Sequence, residues 1–98
     1  MNNEVEGKSF AFTGSLGFPR RELRAELEHR GGIYHPRVTR ITDYLVTGRI
    51  LPHQGVNGET KKMSTAKRYQ ELGYHVQTIE PAEFLLMLIE TRVMLEVC

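Results

Sequence analysis

The chain has 98 residues, of which 40% are apolar and 26% charged, with a formal net charge of +1. That length makes one small domain, residues 1–98, with no room for a second. The composition is that of a folded protein and excludes a disordered chain. The start, Met1 to Glu6, is polar and acidic, unlike a signal peptide. The best apolar run, Phe84 to Ile89, falls far short of the ~20 residues of a membrane span. Cys98 is the only cysteine, so no internal disulfide or thiolate cluster can form. These features fit an intracellular location: cytoplasm or nucleoid in a bacterium, nucleus in a eukaryote. Charge is unevenly distributed. Residues 1–68 carry twelve Lys/Arg against seven Asp/Glu, and residues 69–98 carry one Arg against five Glu. The split implies a basic face, or else an ordinary solvated surface once the two parts interleave.

In chain order, Phe10-Ala11-Phe12 reads as a buried strand that leaves the sheet at Thr13-Gly14. Pro19 opens a first helix, where its missing N–H costs nothing. Leu23 and Leu27 give that helix one apolar side, and Gly31-Gly32 stops it with a left-handed glycine. Ile33-Tyr34-His35 forms a second strand ended by Pro36, and Val38 and Ile41 predict a short packed loop. Tyr44-Leu45-Val46 is a third strand, closed by Thr47-Gly48. Residues 49–61 hold Pro52, Gly55 and the turn pair Asn57-Gly58, and form the longest irregular and most mobile stretch. A second helix is predicted from about Lys62 to Leu72, with Met63, Ala66, Tyr69 and Leu72 inward. A fourth strand covers His75 to Ile79. A third helix starts at Glu80-Pro81 with Phe84, Leu85, Leu88 and Ile89 on its apolar side. Residues 91–98 either extend it or form a separate tail. The sum is an α/β fold with four strands in a mainly parallel sheet, flanked by three helices.

Catalytic constellations are missing. No Gly-x-Ser-x-Gly elbow exposes Ser15 or Ser64. His29, His35, His53 and His75 are scattered over different elements, and none forms a His-Glu-x-x-His pair. Asp43 is the only aspartate, which argues against a carboxylate metal cluster. The expectation is no enzyme, no metal and no cofactor. Of the histidines, His53 is the one in a loop that suits ligand contact.

Phosphate binding needs free N–H groups, a hydroxyl donor and fixed positive charge. Thr13-Gly14-Ser15 leaves the first strand at the carboxyl edge of a parallel sheet, where ligands bind. The segment is neither a Walker loop nor a dinucleotide fingerprint, and its alternative role is a plain strand-ending turn. Arg20 and Lys62 each lie at a helix start, the dipole end that favours anions. A cation there costs the helix a little, so a ligand that offsets the cost competes with the reading of ordinary solvated charges.

Five segments in order resemble a BRCT domain: Gly7 to Gly14, Arg20 through Gly31-Gly32, Thr42 to Gly48, Lys62 to Ala66, and Glu83-Phe84-Leu85. They span about residues 6–90 and are most similar to the subgroup found in bacterial NAD-dependent DNA ligases and the large subunit of replication factor C. The resemblance implies a parallel sheet in the order 2-1-3-4 and a phosphate held by Thr13, the Gly14 N–H and Lys62. It also implies an arginine at the start of the first helix, matched to Arg20 with Arg21 as fallback. A further family lysine falls on Thr65, a departure for which Lys61 or Lys67 are the candidate substitutes. Phe84 stands where a tryptophan is common and is expected in the core. The resemblance implies a stand-alone binding module for a 5′-phosphorylated DNA end or nick in replication or repair. The alternatives are a phosphopeptide or protein-interaction module and a dimerisation domain. Leu86, Met87, Val93, Met94, Leu95 and Val97 exceed what one helix side can bury, which implies weak self-association through the last helix.

Overall fold

The structure is a computed structural model that describes residues 4–56 and 58–97, with residues 90–97 described by backbone alone. Its elements follow the order β1 (Ser9–Thr13), α1 (Arg20–His29), β2 (Ile33–Tyr34), β3 (Tyr44–Thr47), α2 (Lys61–Glu71), β4 (Gln77–Ile79) and α3 (Pro81–Val97). The four strands form one parallel sheet in the order β2-β1-β3-β4, as the family resemblance implied.

Strand alternation divides the core. Phe10, Phe12, Val46 and Ile79 point to one face, where Leu23 and Leu27 of α1 and Phe84, Met87 and Leu88 of α3 cover them. Ala11 and Leu45 point to the other, under Ala66 of α2 with Met63 and Tyr69 packed alongside. Helices therefore lie on both sides of the sheet, as right-handed crossovers require. The aromatic centre is on the α1/α3 face. Phe84 is 1% exposed and tilts against Phe10 and Phe12 at ring-centroid distances of 5.3 and 5.4 Å. Tyr44 stacks on Phe10 at 4.9 Å.

Helix boundaries follow local chemistry. Pro19 caps α1 without any side-chain hydrogen bond. Gly31 takes φ 84°, and the Gly32 N–H returns to the Leu27 carbonyl at 2.9 Å, which closes the helix with the left-handed glycine expected there. Gly32 packs so closely on Leu27 that an added Cβ would lie 2.3 Å from Leu27 Cδ1. Pro81 begins α3 at the position where proline is pre-organised.

Several expectations need correction. Leu72 is 63% exposed rather than inward. A spacing of three lags the helical repeat by about 60° per step, so the fourth residue of Met63, Ala66, Tyr69 and Leu72 has drifted to the opposite side. Ile89 is 55% exposed and Met87 takes its place inside, since 84, 87 and 88 share a tighter stripe than 84, 85, 88 and 89. Ile41 is 77% exposed while Val38 is buried. The second helix starts one residue earlier than predicted, at Lys61, so the loop after β3 covers residues 48–60 in place of 49–61. β2 stops at Tyr34, though the His35 N–H still donates to the Phe10 carbonyl at 2.8 Å. β4 begins at Gln77 rather than His75. The backbone of α3 runs on to Val97, so the tail extends the helix. The side chains of Val93, Met94, Leu95 and Val97 lie outside the described residues. Leu86 is 55% exposed and Met87 is buried.

Phe84 joins α3 to β1, one of the two inner strands of the sheet. Phe84→Ala is expected to lower stability by about 3–5 kcal/mol through lost burial and the cavity left behind. Urea denaturation of both proteins measures this.

Candidate functional site

The site grows out of the sheet topology. The chain leaves β1 by α1 towards β2 on one face, and leaves β3 by α2 towards β4 on the other. The carboxyl ends of β1 and β3 are therefore a topological switch point, where the two connections diverge and open a crevice. A cleft of about 550 Å³ lies there, lined by Thr13, Gly14 and Arg20, by residues 53–56 and 59–60 of the loop, and by Lys61 and Lys62.

Thr13 faces the α2 side because it follows Ala11 in the strand alternation. Its hydroxyl lies 2.7 Å from the hydroxyl of Thr60, the N-cap of α2. Thr60 Oγ1 accepts from the Met63 N–H at 3.3 Å, as a capping threonine does. When Thr60 gives its own proton to Thr13, the Thr13 proton is left to donate into the cleft. Thr13 is only 4% exposed, so a small edge of it reaches a ligand.

Gly14 takes φ 79°, and an added Cβ would lie 2.7 Å from Ile50 Cδ1 and 2.9 Å from the Gly48 carbonyl. Glycine is thus required there on two counts, conformation and space. Arg20, the first residue of α1, donates to the Gly14 carbonyl at 2.9 Å. Lys62, in the first turn of α2, donates to the Phe12 carbonyl at 2.7 Å. Both cations rest on neutral acceptors. Among the described residues, neither is bridged to a carboxylate. Burial pushes the Lys62 pKa below the ordinary lysine value, and the positive charge of Arg20 pushes it the same way.

Glu59 is the one carboxylate on the cleft wall. It is engaged by Ser64 Oγ at 2.8 Å and Lys67 Nζ at 3.2 Å, and those bonds with the lysine charge lower its pKa. The cleft thus presents Arg20, Lys61 and Lys62 against one carboxylate that already has a cation.

The residues expected at the site divide into two groups. Thr13, Gly14, Arg20, Lys61 and Lys62 come together in the cleft. Ser15, Arg21 and Lys67 do not line it. Ser15 is an exposed residue whose N–H donates to the Arg49 carbonyl at 2.7 Å. Arg21 is exposed on α1. Lys67 is committed to Glu59. Thr65, where the resemblance implied a further lysine, lines a neighbouring groove with Lys61 and Ser64. Thr60 escaped the sequence reading. Its signal was present, a threonine directly before a helix start, but the predicted start at Lys62 set the cap out of register. Among the described residues, no group of His, Cys, Asp and Glu is arranged to hold a metal ion.

Comparisons with known proteins agree with this architecture. Residues 3–71 match the family described as "BRCA1 C Terminus (BRCT) domain". The chain is 35% identical over 89 residues to a DNA ligase of Thermoanaerobacter pseudethanolicus, covering 90% of the chain and 12% of the relative. It is 38% identical over 85 residues to a DNA ligase of Aquifex aeolicus, covering 86% of the chain and 10% of the relative. A DNA ligase 2 of Deinococcus deserti is 46% identical over 46 residues, 47% of the chain and 7% of the relative. The chain thus spans about a tenth of the length of the curated relatives it matches. A parallel β2-β1-β3-β4 sheet between α2 and the α1/α3 pair, joined to a family match over more than half the chain, leads to one assignment: the chain belongs to the BRCT family.

Proposed function

We propose that this domain binds DNA at a 5′-phosphorylated end or nick, with the phosphate seated in the cleft at Thr13, Gly14, Arg20 and Lys62. One observation carries the reading. Two cations converge on the carboxyl edge of the sheet, at the starts of two helices, with only carbonyl oxygens as partners. Partly burying Lys62 beside Arg20 is unfavourable for the empty protein. A phosphate would exchange those neutral acceptors for charge-assisted bonds, the stronger kind. The Thr13 hydroxyl would add a donor, and Lys61 would add charge at the rim. The similar proteins are named DNA ligases, which favours a nucleic acid as the carrier of the phosphate. Such contacts position a backbone and carry no base code.

The second reading is a protein contact. Leu86 and Ile89, each 55% exposed, lie on the outer side of α3 and suit a protein partner or a second copy of the chain. On that reading, sedimentation over a range of concentrations yields a concentration-dependent mass, and Leu86→Glu abolishes it. A monomer at every concentration removes self-association.

Lys62→Ala is expected to weaken binding to 5′-phosphorylated DNA about ten- to hundred-fold, the worth of a lost charge-assisted bond of about 1.5–3 kcal/mol. Thr13→Ala should act in the same direction more mildly. DNA lacking the phosphate should lose much less. Titrations of these proteins against both DNAs at fixed salt measure the contrast, and equal losses on both would leave only a diffuse basic surface.

The lowered Lys62 pKa adds a pH dependence. The anion needs the charged lysine. Affinity should therefore hold through neutral pH and fall as pH rises through the lowered value, before an ordinary lysine would discharge. Arg20→Gln removes one cause of the lowering and should move the fall to higher pH. Stability has the opposite sign. The unfolded chain holds this proton more tightly, so the empty fold gains stability between the lowered value and the ordinary one. Binding and melting series across alkaline pH check both directions.

A further inference from the structure

The cleft is larger than a phosphate. At about 550 Å³ it falls within the range of about 300–1,000 Å³ that holds small organic molecules, which leaves room for the group that carries the phosphate. Besides Thr13, Gly14, Arg20 and Lys62, the cleft is lined by the continuous stretch His53-Gln54-Gly55-Val56 and by Glu59, Thr60 and Lys61.

This stretch is shaped by its own bonds. The Gln54 N–H donates to the Leu51 carbonyl at 2.9 Å, and the Leu51 N–H donates to Gln54 Oε1 at 2.9 Å. Val56 and Glu59 exchange backbone bonds at 2.9 and 3.0 Å. Gly55 lies so close to the returning backbone that an added Cβ would be 2.4 Å from the Glu59 carbonyl. The stretch therefore presents a defined set of groups. His53 offers an exposed planar ring, and Val56, 77% exposed, offers methyl groups. Gln54 has its carbonyl oxygen occupied, which leaves its amide as a donor. Gly55 leaves bare backbone.

We infer that His53, Gln54 and Val56 form a subsite for the terminal nucleoside of the phosphorylated strand, with the base lying flat against His53 and Val56. The inference rests on the phosphate reading above and extends it to the group attached to the phosphate. A flat ring and an apolar side chain suit a base face, and histidine is among the side chains on which unpaired bases stack. The Gln54 amide supplies a donor to a base edge or sugar oxygen. A phosphopeptide is the less suitable occupant. Extended peptides commonly bind by adding to an open sheet edge, whereas this cleft lies between β1 and β3, each of which is paired on both sides.

The test uses three proteins: the natural chain, Lys62→Ala, and the double variant His53→Ala/Val56→Ser. Both loop residues are exposed, so matching melting curves confirm an intact fold. The probes are a 5′-phosphorylated duplex with a normal terminal nucleotide, the same duplex with its 5′-phosphorylated terminal residue lacking the base, and a phosphoserine peptide. The natural chain is expected to bind the normal end about ten-fold more tightly than the baseless end, within the range of one stacked base. The double variant should erase that gap and keep the affinity for the baseless end. No gap in the natural chain, or equal losses on both ends, overturns the subsite while leaving the phosphate reading intact. Unchanged binding of all probes by Lys62→Ala instead overturns the phosphate reading itself. A peptide bound more tightly than either DNA, and weakened by the loop changes, assigns the subsite to a peptide and overturns the inference.

Discussion

The turns that follow β1 and β3 are pressed against each other, and the geometry of the cleft depends on that contact. The strands run in register from Phe10 opposite Tyr44 to Thr13 opposite Thr47. Beyond them, Gly48 N–H donates to the Thr13 carbonyl at 2.9 Å, and Ser15 and Arg49 exchange backbone bonds at 2.7 and 2.9 Å. The pairing turns antiparallel there as an isolated bridge. A Cβ on Gly48 would lie 2.1 Å from the Ser15 carbonyl. Only hydrogen atoms fit between these backbones, so Gly14 and Gly48 set how closely the two exits approach. From that junction the chain can go only outward: through residues 16–19 into α1, and through the loop into α2. The two helix starts are thereby aimed at the same crevice.

The same geometry carries an electrostatic cost that packing absorbs. Helix N-termini carry partial positive charge, and Arg20 and Lys62 add to it. α1 has Glu22 in its first turn, whereas α2 has no acidic residue there. α2 relies on the Thr60 cap, worth about 1 kcal/mol in typical proteins, and on Ala66, Met63 and Tyr69 against the sheet. The core on the α1/α3 face is larger and more aromatic. An unfavourable cluster of charge persists where the surrounding fold over-determines it, which is the usual condition of a binding site.

The sequence made the scaffold legible because its signals are local. Gly31-Gly32 ends a helix whatever surrounds it, and a three-residue apolar run before Thr13-Gly14 can only be a short buried strand. Thr13, Gly14, Arg20 and Lys62 share one cleft because each sits at or next to the end of an element, and parallel topology assigns all such ends to one edge. What stayed hidden depends on angles and distances across the chain. Leu72 and Ile89 lie outward because three- and four-residue spacings accumulate rotation away from the buried side of a helix. Ser15 lies next to the site in sequence, but its N–H is drawn away to Arg49. The loop after β3 looked irregular because its order comes from backbone turns at Leu51–Gln54 and Val56–Glu59, which leave little mark on residue pattern beyond Gly55 and Gly58.

At Thr65, where the resemblance implied a further lysine, the surroundings of the neighbouring lysines decide which charge reaches the cleft. Two nearby lysines were candidates to replace it, and their surroundings separate them. Lys67 follows Thr65 on α2 but is held by Glu59, so its charge is largely offset. Lys61 precedes Lys62 and lines both the cleft and the adjoining groove that Thr65 and Ser64 share. Glu59 therefore has two effects. It pairs with Lys67 at the exposed surface, and in accepting that lysine it becomes a weaker repellent at the cleft wall. Arg20, Lys61 and Lys62 bring positive charge to the β1–β3 junction. On the proposed reading, that concentration favours one terminal phosphate over a run of backbone phosphates, because a run would need cations spaced along its path. On that reading the domain draws only a general, salt-sensitive attraction to duplex DNA from its other exposed Lys and Arg side chains. Its preference for an end then rests on how well the β1–β3 crevice fits the single group at that end.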